Sequence, residues 1–264
     1  MTLIALIDTL EALALDLAAG AQGSLGVFIR VGAMMALMPA LGEQVVPMRV
    51  RLGVALALTA VTAPAIAPQM PPFSLAPGPL ILLIATESLA GLVLGAVLRI
   101  LVMALQIAGT MAAQATSLSQ FFGGAGADPQ PAMSQVLVMA GLALALMNGL
   151  HIRLAELIVM SYTLFPPSSF PDGASLAQWG LAHSARAFTL AFTLAMPFVI
   201  LSLLYYIALG AINKAMPQLM VAFVGAPAIT FGGLAVLMLT APLALPLWYQ
   251  AFDLLLADPG AMPP

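Results

Sequence analysis

The sequence predicts an all-α, membrane-associated protein, and three observations carry that prediction. Of 264 residues, 62% are hydrophobic and only 6% charged, where a soluble domain carries about a quarter charged residues. The apolar residues gather in runs long enough for helical spans, which need about 20 residues each. Between the runs lie short stretches of proline, glycine and polar residues, the chemistry of turns. A soluble globular domain is thereby excluded. A net charge of −3 with seven basic residues argues against nucleic-acid binding. The absence of cysteine removes disulfides, thiolate metal sites and cysteine nucleophiles.

Residues 1–23 read as an amphipathic helix, in which Asp8, Glu11 and Asp16 punctuate Leu3, Ile4, Leu6, Ile7, Leu10, Leu13 and Leu17. It suits a partner surface or an interface better than a span. The first basic residue is Arg30, so the positive region of a cleaved signal peptide is missing. Ser24 to Leu41 is the first candidate span, carrying Arg30 within it and Met34, Met35 and Met38 along it. Gly42 to Arg51 reads as a turn. Leu52 to Ala67 follows, broken at Pro64 and closed by the proline-rich Pro68 to Pro79.

Leu80 to Leu105 is an apolar run without proline. As a helix it reaches about 39 Å against a hydrocarbon core of about 30 Å, so it must tilt or project. Glu87, Gly91, Gly95 and Arg99 recur in it every four residues, giving one slowly drifting ridge. The two glycines form a GxxxG, which admits a second backbone. Each charge would cost about 2.5–3.5 kcal/mol facing lipid at mid-membrane. The ridge is therefore expected to be a helix–helix assembly face.

Gln106 to Pro131 breaks the apolar pattern with glutamines, hydroxyl residues, Phe121-Phe122, a glycine run and Asp128-Pro129. Such backbone is tolerated among apolar helices where it is buried in protein or lines a wet cavity; the other reading is a plain connecting loop. Ala132 to Phe165 reads as a helical hairpin, or as one helix broken near Asn148-Gly149, with Arg153 and Glu156 close enough to pair. Pro166 to Gly173 is a loop, Ala174 to Arg186 a shorter helix, and Ala187 to Ile212 a long run kinked at Pro197. Asn213 to Gln218 is a compact polar turn holding Lys214, the single lysine. Leu219 to Leu247 is a last apolar run dotted with glycine and proline. Residues 248–264 read as a tail.

The chemistry of catalysis is not legible. His151 and Glu156 lack HExxH spacing, and no GxSxG, Walker A or dinucleotide fingerprint occurs. The expectation is a protein that is not an enzyme and binds neither cofactor nor metal. Glu87 reads either as an ion or proton relay, as intramembrane carboxylates often are, or as an ion pair at a helix–helix contact.

Several segments together resemble one family. They are IRVGAMMALMPALGEQVVPMRVRLGVALAL (Ile29 to Leu58), ESLAGLVLGAVLRILVMALQIAGTMAAQ, the Asp128-Pro129 step, MNGLHIRLAELIVMSY and ALGAINKAMPQLMVAFVGAPAITFGGL. In this order, from about Val27 to Leu247, they are similar to the FliR family of the flagellar type III export gate. The family usually has arginine or lysine at the position of Lys214. This chain departs from the family pattern at Ser117 to Gly126, where glycines are denser and the two phenylalanines adjacent.

The resemblance implies a core subunit of a helical gate built with FliP-like and FliQ-like chains and an FlhB-like subunit. It implies a FliP-like part at 24–165, with the central loop 106–131, and a FliQ-like part at 166–247. The expected place is the bacterial inner membrane, within the flagellar basal body, with unfolded export substrates passing through. The injectisome counterpart, the SctT family, shares that design; a stand-alone ion-coupled secondary transporter is the other alternative. Under the gate reading the central loop is a pore plug. Leu118, Phe121 and Phe122 are its bulkiest apolar groups, and Gly123 and Gly124 let it move. Asn213, Lys214, Pro217 and Gln218 then form a hairpin tip that docks on a neighbouring subunit.

Overall fold

The computed structural model describes residues 24–39, 46–70, 76–116, 132–216 and 221–261. The expected amphipathic helix at 1–23, the segment 117–131 and the turn residues Pro217 and Gln218 lie outside them. The described residues form helices and no strand: α1 (Ser24–Leu37), α2 (Met48–Ile66, continued by a 3-10 turn at Ala67–Gln69), α3 (Pro77–Thr116), α4 (Ala132–Met147), α5 (Leu150–Leu164), α6 (Gly173–Ala215) and α7 (Val221–Ala257). Four of them, α2, α3, α6 and α7, are long and apolar enough to cross a membrane. The bent pair α4–α5 makes a fifth span if taken as one.

α3 is the axis. It packs chiefly on α6 and α4, with α7 alongside, and α1 lies across its first half. Its 40 residues extend about 60 Å, twice the hydrocarbon core, so the tilt or projection expected of the shorter run is needed all the more. The extra length includes Gln106 to Thr116, which continue the helix rather than begin a loop. The hydroxyls there are satisfied within the helix: those of Thr110 and Thr116 donate to carbonyls one turn back. Ser134 of α4 donates to the Gln106 carbonyl at 3.1 Å. Gly109 makes that approach possible, because a Cβ there would strike the Ser134 backbone.

The break between α4 and α5 falls at Asn148-Gly149. Gly149 adopts φ 80°, a left-handed conformation that costs glycine little, and the two helices bend by 77°.

Two further boundaries differ from the sequence reading. Ala174 to Ile212 is one helix, not two, because no glycine or proline interrupts it between Gly180 and Pro197. Its hydroxyl residues fit within the helix: Ser184, Thr189 and Thr193 donate to carbonyls four residues back. Its buried face runs through His183, Ala187, Ala191, Leu194, Ala195 and Phe198, a spacing of three to four that keeps one side against α3. Asp172 caps its start, accepting from the Ser175 amide at 2.8 Å and hydroxyl at 2.7 Å. Those bonds hold the Asp172 carboxyl below its ordinary range. The cap is present above the unfolded carboxyl's pKa and is lost only as pH falls through the lowered value.

The second correction concerns the expected tail. Residues 248–257 belong to α7, and Trp248 is fully buried. Its indole donates to the Leu101 carbonyl of α3 at 2.8 Å and stacks on Phe252 at 5.0 Å. With Leu255 and Leu256 it joins the main core. Pro227, Pro242 and Pro246 lie inside α7 without ending it.

Candidate functional site

The most concentrated polar chemistry in the described residues is a buried cluster joining α1, α3 and α5. Arg30 of α1 and Glu87 of α3 are 1% and 0% exposed. Arg30 Nε donates to Glu87 Oε2 at 2.8 Å and Nη2 to Oε1 at 3.1 Å, a bidentate pair. The rest of the guanidinium faces the C-terminal turn of α5. Nη1 donates to Ser161 Oγ at 2.9 Å and Nη2 to the Phe165 carbonyl at 2.8 Å. Four of its five N–H groups are thus engaged, and its charge meets the negative end of the α5 dipole. Tyr162 closes the cluster from the other side. Its hydroxyl donates to Glu87 Oε2 at 2.9 Å, and its ring lies 3.5 Å from Arg30 Cζ.

The local sequence explains the assembly. α1 can reach Glu87 because Gly91 and Gly95 offer no side chain beneath it. A Cβ on Gly91 would strike the Arg30 carbonyl oxygen, and one on Gly95 would lie 2.5 Å from the Met34 oxygen. Val27, Val31, Met34, Met35 and Met38 line the same buried side of α1. The helix that meets the Glu87–Gly91–Gly95 face is therefore α1 of the same chain. Arg99 does not share this environment and is exposed on the surface of the chain. A four-residue step overshoots one helical turn by about 40°, so Arg99 lies about 120° round from Glu87.

The cluster is suited to holding three helices in register rather than to conducting an ion. Both Glu87 oxygens are occupied. A second, looser set of charges joins α5 and α7: Arg153 reaches Glu156 at 3.2 Å and Asp253 at 3.3 Å. These side chains are at least a third exposed or close to it and contribute little. Among the described residues, no three His, Asp or Glu side chains converge as a metal would require.

Asn213 and Lys214 form the last turn of α6 and are exposed, while their expected companions Pro217 and Gln218 lie outside the described residues. So do Leu118, Phe121, Phe122, Gly123 and Gly124 of the expected plug. The sequence reading missed Ser161, Tyr162 and the pairing of Arg30 with Glu87. The pairing had a signal, because each of these charges stands in an otherwise apolar run and is costly alone. Ser161 and Tyr162 had none, since a hydroxyl in a helix usually bonds to its own backbone.

Comparison with known proteins extends these observations along the chain. The family profile described as "Bacterial export proteins, family 1" matches residues 23–255, from the start of α1 to the last turn of α7. The chain is 34% identical over 216 residues to the flagellar biosynthetic protein FliR of Caulobacter vibrioides, covering 81% of this chain and 86% of that one. To FliR of Escherichia coli it is 28% identical over 234 residues, covering 86% and 88%. To FliR of Bacillus subtilis it is 30% identical over 211 residues, covering 76% and 79%. The match thus spans all the helices that carry the buried cluster, and the chain belongs to family 1 of the bacterial export proteins, the FliR family.

Proposed function

We propose that this chain is a core subunit of the flagellar type III protein export gate, helping to form and seal the conduit for unfolded secreted flagellar proteins. The observation that carries this reading is the similarity to flagellar biosynthetic FliR proteins over nearly the whole helical body. The relatives compared are flagellar, which favours this reading over an injectisome gate. The occupied carboxylate of Glu87 counts against an ion-coupled transporter. On this reading the chain sits in the bacterial inner membrane, within the flagellar basal body. It binds FliP-like, FliQ-like and FlhB-like subunits and works without catalysis. Its exposed apolar faces suit such company: Phe188, Phe192 and Leu203 on α6, and Phe231, Met238 and Leu243 on α7, all face outward.

The seal is assigned to the segment after α3. Apolar constrictions close a pore by excluding water, and Leu118, Phe121 and Phe122 supply the bulk. Gly123 and Gly124 permit backbone movement, and Asp128-Pro129 ends the mobile part. The test compares the tagged intact chain with one lacking Ser117 to Gly126 in the host bacterium. Both are expected to bring down FliP-like and FliQ-like chains from detergent-solubilised membranes. Only the shortened chain should raise the permeability of the cells to small ions and solutes. A monodisperse monomer in mild detergent would defeat the gate assignment, and a tight membrane around an assembled mutant gate would defeat the plug.

Asn213 and Lys214 form the hairpin tip that docks on a neighbouring subunit. Lys214 stands in the last turn of α6, where a cation also suits the helix dipole. Lys214→Glu is expected to lower secretion of flagellar proteins more than Lys214→Arg, as measured in culture supernatants. Equal secretion by the two variants would remove any role for the charge.

A further inference from the structure

Beyond its first two turns, α3 is covered by its own chain on every side but one. From Ala85 onward its exposed residues are Ala85, Leu92, Arg99, Met103 and Gln114, with Ala96, Gln106 and Thr110 half-buried between them. At 100° per residue all eight fall within an arc of about 80°. The stripe changes character along its length. Ala85, Leu92 and Ala96 are apolar, with half-buried Ser88 beside them, whereas Arg99, Gln106, Thr110 and Gln114 are polar, with Met103 among them and half-buried Ile100, Ile107 and Met111 along one edge. The polar half runs for about 22 Å.

Among the described residues, the side chains of Arg99, Gln106 and Gln114 have no hydrogen-bonding or ionic partner. Lipid is a poor neighbour for such a surface, because an unpaired guanidinium at mid-membrane costs about 2.5–3.5 kcal/mol and the amides add to that. A packed helix is a poor neighbour too. Two carboxamides and a guanidinium buried against a helix that brings no partners for them are costly. Water is a good neighbour. So is an extended polypeptide, whose backbone offers donors and acceptors at every residue. Carboxamides and hydroxyls can both give and take hydrogen bonds, so they serve any sequence equally.

We propose that the polar half of this stripe, Arg99, Met103, Gln106, Thr110 and Gln114, lines the water-filled conduit and is the track along which an extended export chain slides. The proposal rests on the reading of the chain as a gate subunit and names which of its faces turns to the substrate. Met103 fits the role, since its unbranched side chain repacks around differing contents.

The absence of native cysteine makes a direct test possible. Single variants Met103→Cys, Gln106→Cys and Thr110→Cys are compared with Leu203→Cys on α6 and Leu243→Cys on α7, both of which face outward elsewhere. Each is placed in the complete apparatus in its membrane. A flagellar export substrate carrying one cysteine is stalled there by a fused domain that cannot unfold. Oxidative or bismaleimide cross-linking should join the stalled chain to the three stripe positions and not to the two controls. Stalling should also cause loss of stripe labelling by a membrane-impermeant maleimide. If the stripe cysteines join only another subunit, the stripe is a helix seam and the track is overturned while the gate reading stands. Cross-links at Leu203→Cys or Leu243→Cys in place of the stripe would move the track to that face. If no position meets the stalled chain, and the variants fail to purify with FliP-like subunits, the gate reading itself falls.

Discussion

Glu87→Ala is expected to cost this protein a large part of its stability. The substitution leaves the Arg30 guanidinium buried at 1% exposure with Nε unbonded and Nη2 holding only the Phe165 carbonyl. It also orphans the Tyr162 hydroxyl, whose acceptor is Glu87. Removing one partner of a buried ion pair typically costs about 3–5 kcal/mol, against a net stability of about 5–15 kcal/mol for an ordinary domain. The variant should therefore be degraded, and its steady-state level in membranes should fall well below that of the parent. The double variant Arg30→Met with Glu87→Leu separates charge loss from loss of contact. It removes both charges and keeps comparable volume, and such replacements are often neutral or stabilising. Its level should recover most of what Glu87→Ala loses, and the remainder measures the bonds to Ser161, Tyr162 and Phe165. Accumulation of Glu87→Ala at the parent level would show that Arg30 escapes to water and that the cluster is dispensable.

The helical class was readable because it rests on composition and run length, which no tertiary contact reverses. Helix ends were harder. Gln106 to Thr116 resembles a loop because it is polar for this chain, yet each hydroxyl there has a carbonyl within a turn. Residues 248–257 read as a tail because the proline-rich end follows closely. The burial of Trp248 depends on Leu101, about 150 positions away in sequence, and no local pattern reports it. The ridge of Glu87, Gly91 and Gly95 was legible as spacing, but the identity of the helix above it was not. Arg99 illustrates the limit of a four-residue period. Strict recurrence over three steps carries a residue about a third of the way round the helix, out of one interface and onto another face.

Gly91→Leu and Gly95→Leu, singly, are expected to detach α1 and with it the cluster. A Cβ at Gly91 meets the Arg30 carbonyl, and at Gly95 the Met34 carbonyl; backbone atoms cannot turn aside as a side-chain tip can. Relief requires α1 to lift by about an ångström, enough for ordinary contact. Arg30 carries both the struck carbonyl and the guanidinium. The same displacement therefore stretches its 2.8 Å bond to Glu87 past the range in which a hydrogen bond holds. Overpacking alone costs about 1–3 kcal/mol, and the lost pairing adds to it. Each variant should still insert in the membrane but fail to assemble, visible as loss of co-purified partner subunits and raised protease sensitivity near α1. Gly32→Ala is the control. It lies on the same helix with nothing within 4 Å of an added Cβ, so assembly there should be unchanged. Normal assembly and export by a Gly91→Leu, Gly95→Leu double variant would show that α1 has another seat and that the close approach to α3 is incidental.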